Sequence, residues 1–317
     1  MVAAQSSEPV VQLRRLFRSF GSTQAVNDVS FEVERGQVFG YIGPNGAGKT
    51  TSMRILATLD LPDYGDALID GFSVINDPDL VRRRLGFMPD SFGAYHSMNC
   101  VEYLDFFARS YGLMGRERMA ALRHTLAFTG LDKIAEKPIR GLSKGMRQRL
   151  CLGRAMIHDP LVLILDEPAN GLDPRARIEL RQMIRELAAA GKCVLVSSHI
   201  LTELGEMCDT IGIIERGKLL ATGSVAEIQA KLRPHVDIMI ELLDGGQRMA
   251  AWLTGKAEIS QIQISDRVVR FQFMGDGAGQ ASLLRSLVDA GFELVEFRSE
   301  ARSLEDVFLQ ITTGAVQ

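Results

Sequence analysis

The chain has 317 residues, a formal net charge of −3, 46% hydrophobic residues and 24% charged residues. That suits a globular chain with one large domain and a smaller one, and it excludes a strongly basic nucleic-acid binder. Four scattered cysteines (Cys100, Cys151, Cys193, Cys208) contain no C-x-x-C pair, so they read as free thiols in a reducing compartment.

No apolar run approaches the roughly 18 residues of a membrane span; the strongest, Leu161–Leu165, has strand length. The opening MVAAQSSEPV lacks the basic and apolar regions of a signal peptide. The chain is therefore expected not to cross a membrane.

In chain order, residues 1–9 read as a loose leader. Strand-like runs follow at Val10–Leu16, Val29–Val33 and Val38–Ile42, punctuated by Gly21 and Gly36. A helical pattern runs from Thr50 to Leu59, and Leu68–Asp70 reads as a strand. A largely helical region is expected over about 79–157, with periodic segments at Val101–Tyr111, Arg116–Thr129 and Ser143–Ile157. Strands at Leu161–Leu165 and Val194–Ser197 then alternate with helices from Pro174 and over Ile200–Met207. That alternation predicts an α/β fold around a mainly parallel sheet.

Arg233-Pro234 marks a boundary. Beyond it, over 235–317, the pattern reads strand Val236–Leu242, helix Arg248–Leu253, strands near Ile259–Ile264 and Val268–Phe273, helix Gln280–Ala290 and strand Glu293–Phe297. This is the β-α-β-β-α-β order of a ferredoxin-like α+β domain. A last amphipathic helix is expected from Ser303, with Leu304, Val307, Phe308 and Ile311 on one face.

The strongest chemical signal is Gly43-Pro44-Asn45-Gly46-Ala47-Gly48-Lys49-Thr50, followed by Thr51. It fits the P-loop pattern G-x-x-x-x-G-K-[ST] between a strand and a helix. Glycines let successive N–H groups face an anion, and the helix start adds its positive dipole end. Lys49 neutralises phosphate charge, and the Thr50 hydroxyl suits Mg²⁺. The apolar strand Leu161–Leu165 ends in Asp166-Glu167, at the strand end where parallel sheets bind ligands. Behind a P-loop, Asp166 is a candidate for holding Mg²⁺ through water. Glu167 is a candidate for orienting or deprotonating the attacking water.

Leu142-Ser143-Lys144-Gly145-Met146-Arg147-Gln148-Arg149 opens a helix leading to that strand. A plain capped helix after a turn would also explain these residues, with Ser143 as the cap. In this order they resemble the LSGGQ signature of ABC ATPases. Ala169-Asn170-Gly171-Leu172-Asp173 then looks like the D-loop of that family, and His199 stands at a strand end like its switch histidine. Phe20, before Gly21, stands where the family keeps an aromatic residue that stacks on adenine; a strand-edge phenylalanine is the simpler alternative. The resemblance covers roughly residues 10–232.

The resemblance implies an ATP- and Mg²⁺-dependent ATPase in which two cassettes sandwich two ATPs. Ser143, Lys144, Gly145 and Met146 would complete the site of a second copy, and Asp173 would help form that interface. It also implies a multi-helix membrane permease as partner, a place at the cytoplasmic face of the cell membrane, and no nucleic acid. Asp90 follows Pro89 where the family has glutamine, so Mg²⁺ ligation there competes with a turn role. Lys144 and Met146 also depart from the signature. Ser303–Leu309 resembles a closing motif of exporter cassettes with separate type-two permeases. The other readings are a soluble non-transport ABC ATPase and a weakly active nucleotide-dependent regulator.

Overall fold

The computed structural model describes residues 9–91, 93, 97–200, 205, 207–224, 227–228 and 236–300. The helix expected over Ile200–Met207, the Arg233-Pro234 boundary and the helix from Ser303 lie wholly or mostly outside them. The described residues form two compact units, with 9–224 in the first and 227–300 in the second.

In the first unit, β1 (Val11–Phe20), β2 (Thr23–Val33), β4 (Tyr64–Ile69) and β5 (Phe72–Ser73) form an antiparallel sheet in the order β2-β1-β4-β5. The second sheet has the order β10-β9-β3-β8-β7-β6. Its strands are β3 (Val38–Ile42), β6 (Leu85–Met88), β7 (Val162–Leu165), β8 (Cys193–Ser198), β9 (Thr210–Glu215) and β10 (Lys218–Ser224). Strand β10 is antiparallel to β9, and the other neighbouring pairs are parallel. Strands β3, β7 and β8 are buried along their length, which explains their continuous apolar runs.

Helices α1 (Lys49–Leu56) and α2 (Pro78–Arg84) contribute Met53, Ile55, Leu56 and Val81 to a core shared with both sheets. Phe31 of β2 stacks on Phe39 of β3 at 4.6 Å, joining the sheets directly.

A separate apolar cluster holds together α3 (Cys100–Ser110), α4 (Gly115–Phe128) and α5 (Lys144–Met156), through Tyr103, Leu104, Leu122, Leu126 and Leu150. A reciprocal box starts α3: the Asn99 side chain accepts from the Glu102 N–H, and the Glu102 carboxylate accepts from the Asn99 N–H, both at 2.8 Å. Helix α6 (Pro174–Ala189) starts at Asp173, whose carboxylate accepts from the Ala176 N–H at 2.9 Å.

The structure corrects one expectation. The largely helical region expected over about 79–157 is interrupted after α2, because Leu85–Met88 is strand β6, paired in parallel with β7. Four residues are too few to display a period. Gly86 carries the only hint: a Cβ there would collide with the Ala155 carbonyl oxygen of α5.

The second unit contains β11 (Val236–Leu242), α7 (Gly246–Leu253), β12 (Ile259–Ser265), β13 (Val268–Phe273), α8 (Gly277–Asp289) and β14 (Leu294–Glu300). Its sheet order is β12-β13-β11-β14, with every neighbouring pair antiparallel. This is the ferredoxin-like arrangement. Ile238, Ile240, Phe271, Met249, Leu253 and Leu287 form its core. No helix among the described residues is long and apolar enough to cross a membrane.

Candidate active site

The parallel register brings the carboxyl ends of β3, β7 and β8 side by side. Tyr41 pairs with Ser197, and Leu165 pairs with Val196, so residues 43–50, 166–167 and 197–199 meet at one edge. Asn45, Gly46, Ala47, Gly48, Lys49, Thr50 and Thr51 line a cavity of about 440 Å³ there, with Ala25, Asp90, Glu167, Asn170 and His199.

The P-loop backbone is held by close packing. Gly48 has φ +105°, and a Cβ on it would collide with the Ala25 carbonyl oxygen of β2. A Cβ on Gly43 would collide with the Ile214 carbonyl oxygen. The Ala47 N–H donates to the Pro44 carbonyl at 3.1 Å, and the Gly217 N–H donates to the Ala47 carbonyl at 2.9 Å. Beneath the loop, the buried Ser52 hydroxyl donates to the Gly48 carbonyl at 3.0 Å and lies 3.3 Å from the Tyr41 hydroxyl.

Lys49 is only 5% exposed. Its ammonium donates to the Gly43 and Pro44 carbonyls, at 2.6 and 3.1 Å, and lies 3.4 Å from Glu167 Oε1. Burial lowers the Lys49 pKa, and the charges of Glu167 and Asp166 oppose that shift.

Asp166 is buried, and burial pushes its pKa up; the Ser197 and Thr50 hydroxyls hydrogen-bonded to it pull the other way. The Ser197 hydroxyl donates to Asp166 Oδ1 at 2.6 Å. The next residue, Glu167, takes a left-handed backbone conformation, φ +48°, which costs a non-glycine residue about 1–2 kcal/mol. Its N–H donates to Ser197 Oγ at 2.8 Å, and its Oε2 lies 2.9 Å from His199 Nδ1. The Glu167 side chain is 12% exposed and that of His199 is 39% exposed. A cation, a carboxylate and an imidazole thus converge on the cavity mouth, at a spacing suited to phosphate and an attacking water.

The other candidates are placed as follows. Asp90 lines the cavity and accepts a long hydrogen bond from Asn170 Nδ2, at 3.4 Å. Ser143 caps α5, accepting from the Met146 N–H at 3.2 Å, and Gly145 lies against Ala176 of α6. The Lys144 ammonium occupies the space that a Cβ on Gly171 would need, so this lysine lies over its own chain's 169–173 loop. Pro44 is at the loop shoulder and Asp173 is the cap of α6. Phe20 does not line the cavity: it is 50% exposed at the end of β1, with the Arg18 guanidinium 4.7 Å above its ring. Sequence reasoning missed Ser197 and Ala25. The switch from the apolar run Cys193–Val196 to two serines inside one strand was the available signal for Ser197.

A P-loop at the end of a parallel strand, facing a buried aspartate and a glutamate–histidine pair, defines a P-loop nucleoside triphosphatase. Residues 26–170 match the family described as ABC transporter. The Nod factor export ATP-binding protein I of Ralstonia nicotianae is 33% identical over 96% of this chain and 94% of its own length. The uncharacterized ABC transporter ATP-binding protein YxlF of Bacillus subtilis is 33% identical over 95% of this chain and 99% of its own. The linearmycin resistance ATP-binding protein LnrL of the same organism is 26% identical over 96% and 98%. A solved ATP binding subunit of an ABC transporter superposes with a TM-score of 0.64 at 30% identity, covering 70% of this chain and 92% of that one. The chain belongs to the ABC transporter family, as an ATP-binding, ATP-hydrolysing subunit.

Proposed function

We propose that this chain couples ATP hydrolysis to export, as one half of a homodimer acting on a separate multi-helix permease at the cytoplasmic face of the membrane. The observation that carries the reading is Glu167, held between His199 and Lys49 at the mouth of the P-loop cavity. An inactive nucleotide sensor would have no use for a carboxylate placed beside the phosphate lysine.

In this reading the N–H groups of residues 45–50 and the Lys49 ammonium bind the β- and γ-phosphates. Glu167 orients the attacking water and takes its proton, while His199 holds the carboxylate by one oxygen and stands ready for the γ-phosphate. The donor set fits Mg²⁺: the Thr50 hydroxyl and the Asp166 carboxylate are hard oxygen ligands, and the Ser197 and Thr50 hydroxyls that bond the carboxylate are neutral. The metal would neutralise charge developing on the transferred phosphoryl group. Asp90, tied to Asn170, would contact the water around that ion in place of the family's glutamine.

The capped start of α5, with Ser143 exposed at the helix N-terminus, supports a role in the phosphate site of a second copy. Exposed Phe106, Tyr111, Met114 and Met119 on and between α3 and α4 support docking of a permease on the helical region. The direction of transport follows relatives named for Nod factor export and linearmycin resistance. The 235–317 region is read as an accessory or dimer-strengthening domain.

The test compares wild type with Glu167→Gln. The variant is expected to lose turnover, retain ATP and sediment as an ATP-dependent dimer. A variant that stays monomeric with ATP, or a wild type as slow as the variant beside its permease, overturns the reading.

A further inference from the structure

We propose that Ser197 is the positioning residue that sets the geometry of both acidic groups of the site; the inference rests on the roles given above to Asp166 and Glu167. Ser197 lies in β8, between β3 and β7, and its side chain is fully buried. Because Leu165 pairs with Val196, Ser197 stands directly beside Asp166. An unbonded hydroxyl in so apolar a strand would be costly, and Ser197 makes two hydrogen bonds, both to the acidic turn.

The direction of those bonds is determined by chemistry. A backbone N–H only donates and an ionised carboxylate only accepts, whereas a hydroxyl has one proton and two lone pairs. The Glu167 N–H therefore donates to Ser197 Oγ at 2.8 Å, and the single Ser197 proton goes to Asp166 Oδ1 at 2.6 Å. One oxygen atom thus does two things. It satisfies the amide of a residue held at φ +48°, and it orients one oxygen of the buried aspartate.

The left-handed turn at Glu167 matters because it aims the carboxylate. From there Oε2 reaches His199 Nδ1 at 2.9 Å and Oε1 reaches Lys49 at 3.4 Å. Without the hydroxyl, the Glu167 amide would have no acceptor where it now points, and the turn could relax toward an unstrained backbone that redirects the side chain. The P-loop contacts of Lys49 with Gly43 and Pro44 do not pass through Ser197, so nucleotide binding should be spared. Supporting groups of this kind change activity or metal affinity by roughly 10–100-fold when removed.

The experiment measures Ser197→Ala, Ser197→Thr and Glu167→Gln beside wild type: ATPase kcat and KM, melting temperature, and binding of a fluorescent ATP analogue with EDTA and across a Mg²⁺ titration. Ser197→Ala is expected to lower kcat about 10–100-fold with KM within about threefold. Its affinity in EDTA should match wild type, while its Mg²⁺-dependent gain in affinity shrinks. Ser197→Thr, which keeps the hydroxyl, should hold kcat within about threefold of wild type. Wild-type kcat and Mg²⁺ response in Ser197→Ala, or a folded Ser197→Thr as slow as the alanine variant, overturns the proposal. Full turnover in Glu167→Gln would instead sink the underlying assignment of the base, and so separates the two failures.

Discussion

His199 Nδ1 lies 2.9 Å from Glu167 Oε2, although 32 positions of sequence separate the two residues. The contact exists because β7 and β8 are parallel neighbours that end together, so the residues just past each strand face one another. Groups joined in this way act as a unit. Glu167→Gln and His199→Ala should each lower kcat by about 10²–10³-fold, and the double variant should be little worse than the worse single one. Additive losses in a double-mutant cycle would show that the two side chains act independently.

Lys49 carries the cavity's buried positive charge within contact of the P-loop carbonyls. Lys49→Ala leaves the loop backbone but removes that charge, so ATP affinity should fall at least about tenfold, the scale of a charge-assisted hydrogen bond. Titration with a fluorescent nucleotide decides it, and unchanged affinity would refute the P-loop assignment.

Gly48 is constrained twice, by φ +105° and by the Ala25 carbonyl occupying the space a side chain would need. Gly48→Ala should destabilise the protein by about 2–4 kcal/mol, combining backbone strain with a forced shift of β2. Nucleotide binding should be lost with it. Gly46, also at positive φ but with open space around it, should tolerate alanine better. Denaturant melts of the two variants test the order.

His158 lies beyond α5, its ring stacked on Tyr111 at 3.6 Å and its Nε2 donating to the Leu85 carbonyl at 3.1 Å. Its Nδ1 is buried without a hydrogen-bond partner, so a second proton there would have no acceptor. Burial lowers its pKa to about 4 from an ordinary 6.5, against the favourable Leu85 carbonyl. The folded state therefore binds fewer protons than the unfolded one between these values. The stability linked to neutral His158 is complete above about pH 6.5 and is lost as pH falls toward 4, by about 3 kcal/mol. His158→Gln should lessen that fall, read as the difference in unfolding free energy between pH 7 and pH 4.5. Identical pH slopes for the two proteins would remove His158 as its source.

Much of this molecule was legible along the chain because its signals are local. Gly43 to Thr50 encodes a loop whose backbone needs glycine at positions 43 and 48, and the apolar run before Asp166 encodes a buried strand. The period of the second unit was readable for the same reason, since each of its elements is long enough to repeat its pattern. Strand β6 was not readable, because Leu85–Met88 is too short to have a period and lies among helices. Phe20, read as an adenine platform or a strand-edge phenylalanine, stands half-exposed at the end of β1 beside the Arg18 guanidinium and outside the phosphate cavity.

The sequence by itself determined the chemistry on offer: a phosphate loop, two carboxylates at a strand end, a histidine at another and a capped signature helix. These follow from residue type and spacing over a few positions, where backbone sterics and strand or helix period act directly. Only the tertiary structure decided which of them meet. The register of β7 against β8 put one serine hydroxyl between Asp166 and Glu167, and it put His199 against the same glutamate. Loop packing laid Lys144 over Gly171 and joined Asp90 to Asn170. Such contacts depend on hydrogen bonds and packing between distant segments, which no local pattern records.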